Sequence, residues 1–293
     1  MTTSHHFGSS FRRVRRSFLA ATILPAALAC QTLAVAGLIE GEGASAVTQD
    51  DGSVLSLGSP PSFAGFADVT LNGGATLDAT KSILTLTTDV GNQRRSAFTN
   101  TKYAVGDGFS ASFVYKATGA AGPSGLADGM TFTVQNNAPT ALGAGGGGLG
   151  YLGIQNSAAL ELNLYLGAGQ PIGTNFSSGT FGIYISSNPV NLASGHPIRV
   201  DVVYDDVALT FVETLTDLTT AATYTHTFNV PALSNLIGGD LAYVGFTGGT
   251  GGAQSFQTVE SFVFNVQPVP EPGSAILLLS GLGALLARRG HRR

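Results

Sequence analysis

Read for alternation of apolar and polar positions, the chain between Ser53 and Val266 breaks into short segments with a two-residue period. "FADVTLNG", "SILTLTTD", "FSASFVYKA", "MTFTVQN", "AALELNLYL", "FGIYIS", "IRVDVVYD", "ALTFVETL", "YTHTFNV", "LAYVGFTG" and "VESFVFNV" are each six to nine residues long. Clusters of Gly, Asn, Asp, Ser or Pro separate them, as turns require. No amphipathic helical repeat intervenes, so the pattern predicts about eleven strands in an all-β, antiparallel β-sandwich and excludes a parallel α/β fold. The same alternation orients the faces. In "FSASFVYKA", Phe109, Ala111, Phe113 and Tyr115 share one side. In "VESFVFNV", Val259, Ser261, Val263 and Asn265 oppose Phe262, Phe264 and Val266. The phenylalanines are expected in the core.

Both ends break the alternation. "FRRVRRSFLAATILPAALACQTLAVAG" has a basic start, an apolar run from about Phe18, and Ala34 and Ala36 in the spacing of a signal-peptidase site. Residues 1–36 therefore read as a helical signal peptide, and the protein as exported. Arg15-Arg16 also fits a twin-arginine signal, so both export routes stay open. At the other end, the small and apolar run 275–287 measures about 20 Å as a helix, against a hydrocarbon core of about 30 Å. It is a marginal transmembrane helix. Arg288, Arg289, Arg292 and Arg293 would hold its end on the cytoplasmic side.

Charge separates these ends from the body. The chain as a whole carries a formal −4, but residues 37–267 hold six basic against seventeen acidic side chains. An acidic body argues against nucleic acid as a partner. The single cysteine, Cys30, lies in the N-terminal apolar run, so the body has no disulfide of its own. Forty glycines and no tryptophan fit short strands joined by turns.

Val269, Pro270, Glu271, Pro272 and Gly273, followed by the short apolar run and the arginine cluster, resemble a PEP-CTERM sorting tail. That resemblance implies recognition by an exosortase-type membrane enzyme of a Gram-negative bacterium that makes exopolysaccharide, with the helix as a transient inner-membrane anchor. A plain tail anchor is the alternative. The expected organisation is a signal peptide over 1–36, a sandwich over 37–267 and a sorting tail over 268–293.

In the body, "LNGGATL", "SAFTNTKYAVGDGFSASFVYKA", "GLADGMTFTVQN", "ALGAGGGGLGYLGI", "SAALELNLY", "PIRVDVVYDDVALTFVE" and "AYVGFTGGTGGAQSFQTVESFVFN" follow one another in the order found in legume-type (L-type) lectins. This resemblance implies a concanavalin-like jelly roll that binds carbohydrate, a polysaccharide or other glycan, without catalysis. It also implies site residues. Asp128 matches the family's sugar-binding aspartate, and a carboxylate suits the role because it accepts several hydroxyl hydrogen bonds. A simple Asp-Gly turn is the alternative. Gly147, with Gly148 beside it, matches the glycine whose backbone N–H meets the sugar, since no Cβ blocks the approach. A flexible linker is the alternative for that run.

The metal loop departs from the family. Glu161 and Tyr165 match, but Asn163 stands where an aspartate bridges two cations, Gly167 stands where an asparagine is usual, and Thr180 stands in place of a histidine. Glu161 is the sole carboxylate between Gly150 and Val200, and hard divalent cations want several anionic oxygens. No family-type metal pair, and no other cofactor, is therefore expected. Glu161 becomes a structural or a sugar-contacting carboxylate, and Asn163, Asn175 and Tyr165 become candidates for the rim. The family's cis peptide at Ala-Asp is expected to be either trans here, between Ala127 and Asp128, or held cis by side-chain hydrogen bonds. Hydrolysis of glycosides needs two placed carboxylates. The strand of Glu161 offers no second one, and His196 and His226 sit in no recognisable catalytic constellation, so no enzyme is expected. The alternative to a sugar-binding protein is a structural matrix protein that has kept the fold and lost the site.

Overall fold

The computed structural model describes residues 46–48, 54–56, 62–119, 125–180 and 182–266; the signal peptide and the whole sorting tail lie outside these. Strands β1 (Ala46–Thr48) and β2 (Val54–Ser56) pair with each other. The body then runs β3 (Ser62–Ala64), β4 (Val69–Asn72), β5 (Thr76–Leu77), β6 (Ile83–Thr88), β7 (Arg94–Thr99), β8 (Tyr103–Ala104), β9 (Phe109–Thr118) and β10 (Gly129–Gln135). It continues through β11 (Ser157–Asn163), β12 (Gly173–Ser177), β13 (Ile185–Ser186), β14 (Ile198–Asp205), β15 (Thr210–Asp217) and β16 (Thr223–Asn229). A single helical turn, α1 (Leu233–Ile237), precedes β17 (Leu241–Gly249) and β18 (Phe256–Val266).

These strands form two antiparallel sheets, as the alternation predicts. The front sheet runs β13-β12-β11-β10-β17-β7-β4, with β8 also on β17. The back sheet runs β16-β15-β14-β9-β18-β6-β5, with β3 also on β18. Phenylalanines from both inner faces interdigitate. Phe132 and Phe246 of the front sheet meet Phe113 and Phe262 of the back sheet, with Phe113 and Phe246 ring centroids 4.9 Å apart and Phe246 and Phe262 4.8 Å apart. Most of these contacts are edge-on or tilted, the arrangement aromatic quadrupoles favour. Burying each ring contributes roughly 1.5–3 kcal/mol.

One strand breaks the expected two-residue period. The pairing of β18 with β9 shifts between Glu260 and Val263, and Ser261 takes a left-handed φ of 56°. This β-bulge inserts one residue and swaps the faces beyond it. Val259 is consequently buried on the same side as Phe262 and Phe264, whereas strict alternation grouped it with Ser261 and Val263.

The inner face of β15 carries a carboxylate. Glu213 alternates with Phe211 and Leu215, is fully buried, and is paired across the strand with His226 of β16. Thr174 of the front sheet donates a short hydrogen bond to its Oε1, while Oε2 has no partner. Burial pushes this carboxyl up to about 7, only partly countered by Thr174. The folded chain therefore keeps a proton there that the unfolded chain gives up above about pH 4.5. The stabilisation is complete below that pH and is lost as pH rises towards 7, by up to about 1.4 kcal/mol per pH unit for one proton. Glu161, also held near 7, acts in the same direction. Thermal melts should show higher stability at pH 5 than at pH 8, and Glu213→Gln should narrow that difference by raising stability at pH 8. An unchanged difference in the variant would refute the assignment.

Candidate functional site

A row of polar side chains crosses the outer face of the front sheet. The strand registers set Asn72 opposite Ser96, Ser96 opposite Thr247, Thr247 opposite Thr131, Thr131 opposite Glu161, and Glu161 opposite Asn175. Neighbours within the row bond to one another, as in Thr131 with Thr247 at 2.8 Å and Asn72 Nδ2 donating to Ser96 Oγ at 3.0 Å. The row also anchors the glycine-rich segment that lies over the sheet. Asn72 Nδ2 donates to Pro139 O (2.9 Å), Ser96 Oγ to Ala141 O (2.6 Å) and Thr247 Oγ1 to Leu149 O (2.8 Å). Apolar contact completes the attachment, with Ala141, Tyr151 and Ile154 packed against Phe98 and Ala159.

Held this way, the glycine run is an ordered turn. Residues Gly146–Gly148 form a single 3-10 turn closed by Leu149 in the left-handed region. Gly146 N–H donates to Thr250 O (3.1 Å), Gly148 N–H to Gly145 O (3.0 Å) and Gly150 N–H to Ala144 O (2.7 Å). Gly148 is buried, and an added Cβ would come within 3.0 Å of Ala144 Cβ. Gly147 differs from its neighbours. It is exposed, an added Cβ would meet nothing within 4 Å, and its N–H donates to no acceptor among the described residues.

Asp128 stands beside this turn. The Ala127–Asp128 peptide is cis. Ser255 Oγ donates to Ala127 O (2.7 Å), Asp128 N–H to Gly249 O (3.1 Å), and Leu164 N–H to Asp128 O (2.8 Å). The expected trans form is not found, and side-chain bracing of the cis form is limited to Ser255, with backbone bonds supplying the rest and none from the Asp128 side chain. Asp128 is 8% exposed, and its Oδ2 has no hydrogen-bond partner among the described residues. A Cβ at Gly251 would lie 3.1 Å from that oxygen, and one at Gly146 would lie 4.0 Å from it. Burial pushes the carboxyl up to about 6. The Gly251 amide, which donates to Ala253 O, is near enough to offset part of this.

Glu161 forms a second acidic group on the same sheet. Asn175 Nδ2 donates to its Oε2 (3.0 Å), and the hydroxyls of Tyr184 and Ser177 face it and favour its ionised form. Burial outweighs these and pushes it up to about 7. Tyr184 is held well above the ordinary tyrosine range, first by burial and then by the negative fields of Glu161 and Asp128. Tyr184 bonds to Glu161 and also feels the field of Asp128, and the sequence reading passed over it. In "GIYIS" the exposed Ile183 and Ile185 flank it, so alternation already set Tyr184 on the opposite face.

Asn163 organises the adjoining loop. Its Nδ2 donates to Tyr165 O (2.9 Å) and to Pro171 O (2.7 Å), and its Oδ1 accepts from Tyr165 N–H (3.3 Å). The Tyr165 ring folds back over Gly167, where a Cβ would come within 2.3 Å of the ring. Thr180 offers its carbonyl to Ser177 Oγ (2.6 Å). The structure thus sets Asp128 beside the turn that carries Gly147, leaves Glu161 with Asn175 and Tyr184 on the same sheet, and commits the polar groups of Gly148 and Asn163 to bracing. Two pockets lie elsewhere on the described residues. One of about 650 Å³ sits over the β18 bulge beside Lys81 and Glu260, and one of about 320 Å³ sits among Leu166, Pro171 and Pro189.

The profile of the legume lectin domain matches residues 61–277, most of the chain. The chain belongs to the legume lectin family. Solved structures of that family superpose on it at low sequence identity. Peanut lectin, in a complex with a nine-residue peptide, is 18% identical with a TM-score of 0.62, over 73% of this chain and 100% of its own. Arcelin-5, a lectin-like defence protein from Phaseolus vulgaris, is 17% identical with a TM-score of 0.60, over 72% of this chain and 99% of its own. A lectin from Bauhinia forficata, in complex with GalNAc, is 19% identical with a TM-score of 0.60, over 71% and 99%. The PEP-CTERM protein-sorting motif matches residues 268–293.

The cation pair implied by the legume lectin resemblance does not fit the donors present. At Asn163 an NH2 group points at two carbonyl oxygens, filling with hydrogens the space a cation between them would need. At Glu161 the carboxylate is engaged by the Asn175 amide. Position 167 is a glycine and offers no ligating side chain. Asn163→Ala should leave the loop 164–171 unclamped, lowering stability by about 1–3 kcal/mol and speeding proteolysis within that loop. EDTA should leave the melting curve of the unmodified protein unchanged, and a large drop on chelation would contradict the amide clamp.

Proposed function

We propose that this exported legume lectin domain binds a glycan at the Asp128 end of the front sheet and does so without catalysis, at the cell surface or in the extracellular polysaccharide matrix. The observation that carries the proposal is the pairing of an unspent acceptor with an unspent donor. Asp128 Oδ2 is buried and unpartnered, and the Gly147 N–H beside its turn is open to solvent. Adjacent hydroxyls on a sugar ring donate and accept at once, so one ring can satisfy both groups. Glu161, Tyr165 and Asn163 support the rim behind these contacts, and Gly148 supports the turn. Glu161 is hydrogen-bonded by Asn175 and Tyr184 rather than placed with Asp128 across a ligand, which supports binding over glycoside hydrolysis.

Delivery rests on the tail. Val269, Pro270, Glu271 and Pro272 are read by an exosortase-type enzyme while the apolar run 275–287 and its arginines hold the chain briefly in the inner membrane of a Gram-negative cell. Binding of the mature domain to exopolysaccharide from the producing cell should fall at least about tenfold in Asp128→Ala, consistent with loss of a charge-assisted hydrogen bond. Unchanged retention in the variant would remove the site from consideration. Failure to retain any polysaccharide would favour a purely structural matrix role.

A further inference from the structure

Building on the glycan-binding reading, we propose that the site selects an amine-bearing sugar, such as an unacetylated glucosamine unit of a matrix polysaccharide, whose ammonium pairs with Asp128. The argument is one of charge balance. Asp128 is more than nine-tenths buried, and its Oδ2 lies beneath Gly146 and Gly251 with no hydrogen-bond partner among the described residues, so a ligand meets the carboxylate at its remaining exposed edge. Glu161 adds a second carboxylate, and the fields of both reach Tyr184. No lysine or arginine occurs between Lys116 and Arg199, or between Arg199 and Arg288. The described segments that build the site, around 128, 143–153, 163–180, 182–184 and 249–255, therefore contribute no basic side chain at all. On the remaining neighbour, β7, Arg95 turns towards Thr88 and Gly74, and exposed Arg94 lies with its Cβ against Gly145.

A buried carboxylate without a countercharge is costly, and a ligand that brings the countercharge recovers that cost on binding. A neutral hydroxyl recovers only a hydrogen bond. The amide clamp at Asn163 occupies the space a metal would need, so the ligand itself is left to supply the positive charge. The acidic surface of the body adds long-range attraction for a polycation and repels uronate-rich chains.

The test uses the mature full-length protein in calorimetric titrations with a glucosamine tetramer and with its fully N-acetylated counterpart. The amine form should bind about tenfold tighter or better, and its affinity should fall with added NaCl while that of the acetylated form stays nearly flat. Asp128→Asn, nearly isosteric and checked for fold by circular dichroism, should reduce the amine form to the level of the acetylated one. Equal or tighter binding of the acetylated tetramer would overturn the amine assignment and leave the lectin reading intact. An amine preference that persists in Asp128→Asn would assign it to the acidic surface at large and overturn the site. Absence of binding to both tetramers and to the host polysaccharide would overturn the amine assignment together with the lectin reading.

Discussion

A glycine-rich segment laid over a sheet must find partners for its own peptide groups, because each covered N–H or C=O left unpaired costs about 1–3 kcal/mol. In this protein the partners are the hydroxyls and amides of one row across the front sheet. Asn72, Ser96 and Thr247 each give a hydrogen bond to a carbonyl of the segment 139–149. Those same residues come from three different strands, so the segment is ordered only when β4, β7 and β17 are in register. The register in turn depends on the phenylalanines between the sheets. The geometry at Gly147 is thus tied, through three hydrogen bonds and a few rings, to the packing of the whole sandwich.

The other wall of the site solves a related problem with different chemistry. A loop that must present oxygen atoms to a ligand needs something positive to hold its carbonyls together. The two N–H bonds of the Asn163 side chain do this for Tyr165 and Pro171, and the Tyr165 ring over Gly167 fixes the turn between them. An amide carries only partial charge, so it organises the loop without neutralising Asp128 or Glu161. Loop order and charge compensation are therefore separate in this protein, with the first built in and the second left open.

Much of the fold is legible in the sequence because a half-buried strand must alternate and a turn must carry Gly, Asn or Asp. The assignment of Phe109, Phe113, Phe262 and Phe264 to the interior follows from that rule alone. The bulge at Ser261 escapes it, since nothing in "VESFVFNV" marks which residue leaves the ladder. Glu213 shares a face with Phe211 and Leu215 in the text, and only the facing strand shows that Thr174 waits for it. The polar row is harder to see. Ser and Thr are ordinary strand residues, and their alignment across six strands exists only in the register. Asp128 and Gly147 are placed by the order of motifs, whereas Tyr184 needed the pairing of β13 with β12 to bring it to Glu161.

The want of basic residues in the site-forming segments also bears on how long the domain lasts outside the cell. Proteases that cut after lysine or arginine find no point of attack from residue 117 to 198, nor from 200 to 287. Those two stretches contain the glycine turn, the amide-clamped loop, the cis peptide and both carboxylates. An enzyme of that specificity can trim the chain at its margins and still leave the working end of the sandwich in large pieces, held by hydrogen bonds between strands that a single nick does not break.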